Sequence, residues 1–194
     1  MKKLLFLSFI LVSVNCFSQG FGKGIVSRLT FGVKGGANYS DFSGANFETE
    51  GLVGFHGGAL VNFKISDHFS IEEDFLFSYQ GAKTKNNLFG DKTVKMYYLA
   101  VPIMLKYRPI GGLYLELGTQ SSILLKKVDA TVDGKFAKPI DMGVAAGIGY
   151  QTKSGLGLGV RYIAGLTKVG DFQSSTVKSD FKSAVAQASI FYTF

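Results

Sequence analysis

Residues 98–107, Tyr-Leu-Ala-Val-Pro-Ile-Met-Leu-Lys-Tyr, read with a period of two. Leu99, Val101, Ile103, Leu105 and Tyr107 form one wholly apolar face. Tyr98, Ala100, Pro102, Met104 and Lys106 form the other, smaller or partly polar. Successive side chains alternate across a strand, so one face meets a fully apolar phase and the other does not. The contrast recurs along most of the chain, with Gly in place of large residues on the second face. That is the pattern of a transmembrane β-barrel, with lipid outside and a narrow packed lumen inside. A soluble lipocalin-like barrel would turn its apolar residues inward; the Gly and charged residues at inward positions argue against it.

The length of 194 residues suits one domain. Its 25 Gly, 18 Phe and 9 Tyr favour strands over helices, since Gly is poor in helices and aromatic residues suit sheets. Residues 1–18 read as a secretory signal peptide. They begin with Lys2 and Lys3, continue through an apolar stretch at 4–14, and end in small residues before a cleavage point at Gln19. The rival reading is a lipoprotein signal lipidated at Cys16, for which Asn15 is a poor preceding residue. Residues 19–28 form a short, Gly-rich, basic periplasmic lead-in, and 29–194 the barrel.

Removing Lys2 and Lys3 leaves 21 − 2 = 19 basic against 14 acidic residues, a net charge of +5. No basic run carries interleaved aromatics, so no nucleic-acid partner is expected. Cys16 is the only cysteine and leaves with the leader, which excludes an intramolecular disulfide. Two His and no mature Cys give no basis for a transition-metal site, and no cofactor is predicted.

Eight strands are predicted near 29–40, 51–64, 68–81, 94–107, 112–125, 139–152, 155–166 and 181–194, giving an eight-stranded antiparallel up-and-down transmembrane barrel. Connections after the second, fourth and sixth strands are short, and the others long. Outer-membrane barrels have short periplasmic turns and longer external loops, so both termini are expected on the periplasmic side. Two residues strain the pattern. Pro102 cannot donate to the ladder, so a bond is missing or bulged there. Glu73 faces lipid by parity, which a local bulge or a neutral carboxyl would resolve. On the second strand, His56, Gly58, Leu60, Asn62 and Lys64 point inward.

Lys34, Asp74, Glu116 and Arg161 have inward parity at one level on the first, third, fifth and seventh strands. Opposed strands in an eight-strand barrel pair Lys34 with Glu116 and Arg161 with Asp74, with Glu72 just below. Two cations and two anions balance, as buried charges must, and the expected role is structural. His56 lies inward near the outer end of its strand. With Ser40 or Ser122 and Asp141 it would supply the residue types of a lipid-acyl hydrolase. A triad is defined by geometry, however, and no spacing links these residues, so a hydrogen-bonded lumen His is the simpler reading. His68 reads as solvated at a strand end.

The loops carry mixed charge: Asp41, Glu48 and Glu50 in the first, Lys83, Lys85 and Lys92 against Asp91 in the second. Lys126, Lys127, Lys135 and Lys138 oppose Asp129 and Asp133 in the third. They read as solvated loops beside outer-membrane lipid and lipopolysaccharide, with a periplasmic or surface protein as a further partner.

Residues 31–40, Phe-Gly-Val-Lys-Gly-Gly-Ala-Asn-Tyr-Ser, resemble the first strand of the PorT-like outer membrane β-barrel domain family, common in Bacteroidetes. Residues 74–83 resemble its third strand, with Asp74 where Glu is more frequent. Residues 98–107 are similar to its Tyr-Leu-Glu-Ile-Pro segment, with Ala100 replacing the acid. Residues 190–194, Ile-Phe-Tyr-Thr-Phe, match its aromatic end. The resemblance implies an outer-membrane barrel with Tyr192 and Phe194 as assembly signal and a secretion-associated role. No catalytic residue carries over. The expected function is an interaction or structural protein with a side-chain-filled lumen. A lipid-modifying barrel enzyme, hydrolase or transferase, and a narrow channel are the alternatives.

Overall fold

The computed structural model describes residues 24, 26–43, 49–84, 92–128, 140–168 and 182–194. The leader expected at 1–18, with Cys16, lies outside them. So do Glu48, Lys85, Asp91, Asp129, Asp133, Lys135 and Lys138. The strands are β1 (Leu29–Ser43), β2 (Thr49–Lys64), β3 (Phe69–Thr84), β4 (Lys92–Tyr107), β5 (Leu113–Val128), β6 (Ile140–Gln151), β7 (Leu156–Lys168) and β8 (Lys182–Thr193). Each pairs antiparallel with its sequence neighbours, and β1 pairs with β8 to close the barrel. Closure leaves no open sheet edge, which a strand surrounded by lipid requires.

Three tight turns join β2 to β3, β4 to β5 and β6 to β7 at the end that also carries Leu29 and Phe194. In the second, Gly111 and Gly112 have φ of 61° and 92°, a conformation that side chains rarely adopt. At the other end β1 runs to Ser43, β2 starts at Thr49, β3 runs to Thr84 and β5 to Val128. All go further than the hydrophobic pattern predicts. A ladder needs only backbone pairing, so a hairpin continues beyond the apolar belt that reveals it in the sequence.

The in-and-out alternation is clear in the exposures. Outward Val53 and Leu117 are 68% and 65% exposed, while inward Ala100, Met104 and Lys106 are 0%. Aromatic rings band the outer face at two heights. Phe69 stacks beside Tyr107 at 5.0 Å near the tight turns. Phe55, Phe77, Tyr79 and Tyr97 form a chain of contacts at 5.3–6.3 Å toward the other end. Tyr97 and Tyr107 share β4. At about 3.3 Å per residue they are ~33 Å apart along the strand, or ~25 Å along the axis at a ~40° tilt. That is the height of the apolar band of an outer-membrane barrel.

Two sequence expectations need correction. No bulge occurs at Glu73, which pairs with Val61 on β2 and Ile103 on β4 in continuous register; it faces outward and is half-buried. The β3–β4 ladder lapses opposite Pro102 and resumes with the same offset, Glu73↔Ile103 and Leu76↔Ala100, since 73 + 103 = 76 + 100. The missing N–H thus removes pairing without shifting the strands. Lys64 does not enter the lumen. It is exposed at the turn, 2.7 Å from Asp67, because the strand ends there and water is within reach.

Candidate functional site

Glycines organise the lumen. Glu116, Gly147 and Arg161 lie in one register row across β5, β6 and β7. A Cβ on Gly147 would lie 2.7 Å from Glu116 Oε1, so the absent side chain is what lets Glu116 and Arg161 meet across the middle strand. His56, Gly36 and Ser189 make a second such row across β2, β1 and β8. Lys34 on β1 lies opposite Gly58 on β2, and its side chain reaches Glu72 and Asp74 on β3. Tyr114 fills the space above Gly149 and Gly159, and Phe191 that above Gly157.

The crossings build a closed ring of charge. Lys34 Nζ donates to Glu72 Oε1 at 2.7 Å and to Asp74 Oδ2 at 2.8 Å. Arg161 Nη1 donates to Asp74 Oδ2 at 3.1 Å, and its Nε and Nη2 clasp Glu116 at 2.6 and 3.2 Å. Lys106 Nζ completes the ring, 2.7 Å from Glu72 Oε1 and 3.6 Å from Glu116 Oε2. The short contact is out of line for a hydrogen bond. The ammonium instead lies over the rings of Tyr114 and Phe191, at 4.3 and 5.0 Å from their centroids. Each cation bridges two carboxylates and each carboxylate two cations, all with side chains no more than 5% exposed. Three charges of each sign cancel, which is how ions survive so far from water.

Lys34, Glu72, Asp74, Glu116 and Arg161 are thus together in the lumen. Their pairing differs from the sequence expectation. Lys34 goes to Glu72 and Asp74 on β3, not across to Glu116, because strands two apart on a curved wall are nearer than opposed ones. Lys106 was missing from the expected set. Charge balance would have found it: Lys34 and Arg161 alone leave Glu72, Asp74 and Glu116 one cation short, and Lys106 has inward parity.

Above and below the ring the lumen is packed. Leu60, Tyr114 and Phe191 cluster, as do Met104, Ala145, Ile163 and Val185. Leu76, Ile163, Val185 and Phe191 are large inward residues that the sequence reading passed over. Near the turns, Arg108 donates to Ser70 and to Gln151, and Gln151 to Thr193 Oγ1 at 2.9 Å.

A polar network holds His56 in mid-strand, below the outer-end position expected for it. Asn38 donates through its amide to Ser78 Oγ at 2.9 Å, which turns its Oδ1 toward His56 Nδ1 at 2.6 Å. His56 Nε2 then accepts from Ser189 Oγ at 2.8 Å. The residues expected beside His56 are elsewhere. Ser40 binds the backbone of Leu52 and Gly81, Ser122 takes a bond from Gln120, and Asp141 accepts from Thr167 and Ser183. Ser189, His56 and Asn38 have the order of a hydrolytic triad, but Ser189 is laddered on both sides, opposite Gly36 and Gly159. Its backbone donors serve the sheet and form no oxyanion hole. Among the described residues no group of three or more His, Cys, Asp or Glu is placed to hold a metal ion.

A family model described as outer membrane protein β-barrel domain matches residues 17–171. The chain belongs to that family. It is a small outer-membrane β-barrel of bacterial type, and its two aromatic bands mark the faces of the membrane it spans. No curated protein matches the sequence. The crystal structure of Neisserial surface protein A is 21% identical with a TM-score of 0.52, covering 84% of this chain and 97% of that one. OprG of Pseudomonas aeruginosa is 16% identical at a TM-score of 0.51, over 85% and 95% of the two chains. Ail of Yersinia pestis, solved with the heparin analogue sucrose octasulfate, is 15% identical at 0.50, over 86% and 99%. These likenesses establish the architecture alone.

Proposed function

We propose that this outer-membrane barrel is a non-conducting, non-enzymatic structural or interaction protein. Its termini and tight turns lie on the periplasmic side, and it binds its partner through its loops or its periplasmic rim. The observation that carries this reading is the closed ring of Lys34, Asp74, Arg161, Glu116, Lys106 and Glu72 with apolar clusters packed around it. An eight-strand barrel filled in this way has no continuous aqueous path. The ring acts as a structural plug, and Tyr192 and Phe194 act as the assembly signal. The PorT-like resemblance points to a partner in protein secretion, and lipopolysaccharide is the surrounding lipid.

Crosslinking and pull-down from intact cells tests the interaction role. Recovery of a defined secretion-associated partner supports it, and recovery of none counts against it. Purified protein in planar bilayers is expected to give no large steady conductance; a stable porin-like current would sink the plug. Ser189, His56 and Asn38 favour one second reading, a lipid-modifying enzyme. An unchanged lipid A mass spectrum after gene deletion separates the two.

A further inference from the structure

Glu73 sets a carboxylate on the lipid-facing wall. It points outward from β3, half-buried, four residues above Phe69 of the lower aromatic band and six below Tyr79 of the upper one. At about 3.3 Å per residue and a ~40° tilt, it stands ~10 Å in depth from the first ring and ~15 Å from the second, well inside the apolar belt. Its register partners are Val61 and Ile103. Its diagonal neighbours on that face are Ala59, Phe63, Val101 and Leu105, all apolar. Among the described residues no hydrogen bond or ion pair reaches the carboxylate. Ionisable groups at such a depth are costly and almost always paired.

Close by, Gly35 on β1 and Gly57 on β2 stand opposite one another on the same outer face, with Ala59 next along β2. At the inward glycines Gly36 and Gly58 a Cβ would collide with the backbone of Ala188 and Phe75, so the barrel excludes a side chain there. At Gly35 and Gly57 the nearest atom would be 3.6 and 3.8 Å away, so nothing within the barrel requires glycine. Glycine weakens a strand and marks a place where another backbone comes close. In a membrane, small residues let a second protein approach, and polar groups then pair across the contact. A partner that complements Glu73 carries a cation at the same depth. A second copy does not supply one: among the described residues, the outward side chains between the two aromatic bands include no Lys, Arg or His. We propose that the outer face of β1–β3 around Glu73 is a docking surface for a second membrane-spanning protein, different from this chain, which packs on Gly35 and Gly57 and pairs a Lys or Arg with Glu73. The contact lies within the membrane, apart from the loops and the periplasmic rim, and does not depend on which end of the barrel faces outward.

The test is photocrosslinking of the full chain in intact cells, with p-benzoylphenylalanine in place of Phe75, next to Glu73 on that face. Irradiation should give one discrete adduct with a different protein, identified by mass spectrometry. The same probe in place of Tyr162, on the opposite wall, should not give that adduct. Glu73→Gln keeps the shape and removes the charge; it should cut the adduct about tenfold, as loss of one polar contact within a membrane does. Gly57→Val, for which the barrel has room, should cut it by shape alone. Heat-modified gel mobility confirms that each variant is folded. Exchanging the charges, Glu73→Lys with the cation of the captured protein replaced by glutamate, should restore the adduct, and failure to do so overturns the pairing. The absence of any protein adduct, an adduct with a second copy of this chain, or a yield unchanged in Glu73→Gln overturns the docking surface.

Discussion

Replacing Lys106 with methionine removes one charge from the ring while keeping a flexible chain of similar length. Glu72 keeps Lys34 and Glu116 keeps Arg161, but three carboxylates then share two cations in a site with no water-exposed edge. Removing one partner from a buried ion network costs about 3–5 kcal/mol, because the remaining charge stays buried. Loss of the cation over Tyr114 adds up to ~2 kcal/mol, of which sulfur contact with the same ring returns ~1. A net loss of about 4 kcal/mol is expected. The chain has no Trp, so urea unfolding in lipid vesicles is best followed by electrophoretic mobility. Adding Glu72→Gln restores neutrality with nearly the same shape. The double variant should recover at least ~1.5 kcal/mol relative to the sum of the two single changes. A Lys106→Met protein within ~0.5 kcal/mol of the parent would refute the argument. So would strict additivity in the pair, because it would mean that the ring charges do not sense one another.

Arg161→Ala should lower unfolding stability by about 3–5 kcal/mol, against less than ~0.5 kcal/mol for exposed Lys153→Ala, measured in the same vesicles. Gly147→Ala should cost about 1–3 kcal/mol, since the new Cβ meets Glu116 Oε1 at 2.7 Å and Val160 O at 2.6 Å. Gly35→Ala, whose Cβ would meet nothing closer than 3.6 Å, is the neutral control. Deleting Phe194, whose N–H bonds to Phe31 O at 3.0 Å, should reduce heat-modifiable protein in outer-membrane fractions; unchanged amounts would remove it as an assembly signal. In the exposed turn, the hydrogen bond and charge of Lys64 hold the Asp67 carboxyl below its ordinary pKa. Any stability from this pair is present above that ordinary value and lost on acidification. NMR titration should show the Asp67 midpoint rising in Lys64→Ala, and an unmoved midpoint would show that the pair does not persist in solution.

The sequence by itself determined the barrel, its strand number and the side to which most residues point. Those follow from a local rule: side chains alternate along a strand, and lipid accepts only one of the two sets. It also placed Lys34, Glu72, Asp74, Glu116 and Arg161 on the inner face. Only the tertiary structure decided who meets whom. Lys34 reaches Glu72 and Asp74 on β3, Glu116 reaches Arg161 over Gly147, and His56 finds Ser189 over Gly36. None of these partners is near in sequence, and each depends on the stagger between strands. The inward glycines were visible from the start, but their use was not, because an empty position acquires meaning only from the two residues that register sets on either side of it. The fates of Lys64, Glu73 and Lys106 follow the same reasoning. Parity gives each a side, whereas the strand's end, the continuity of the ladder and the charges already in the lumen decide what that side contains.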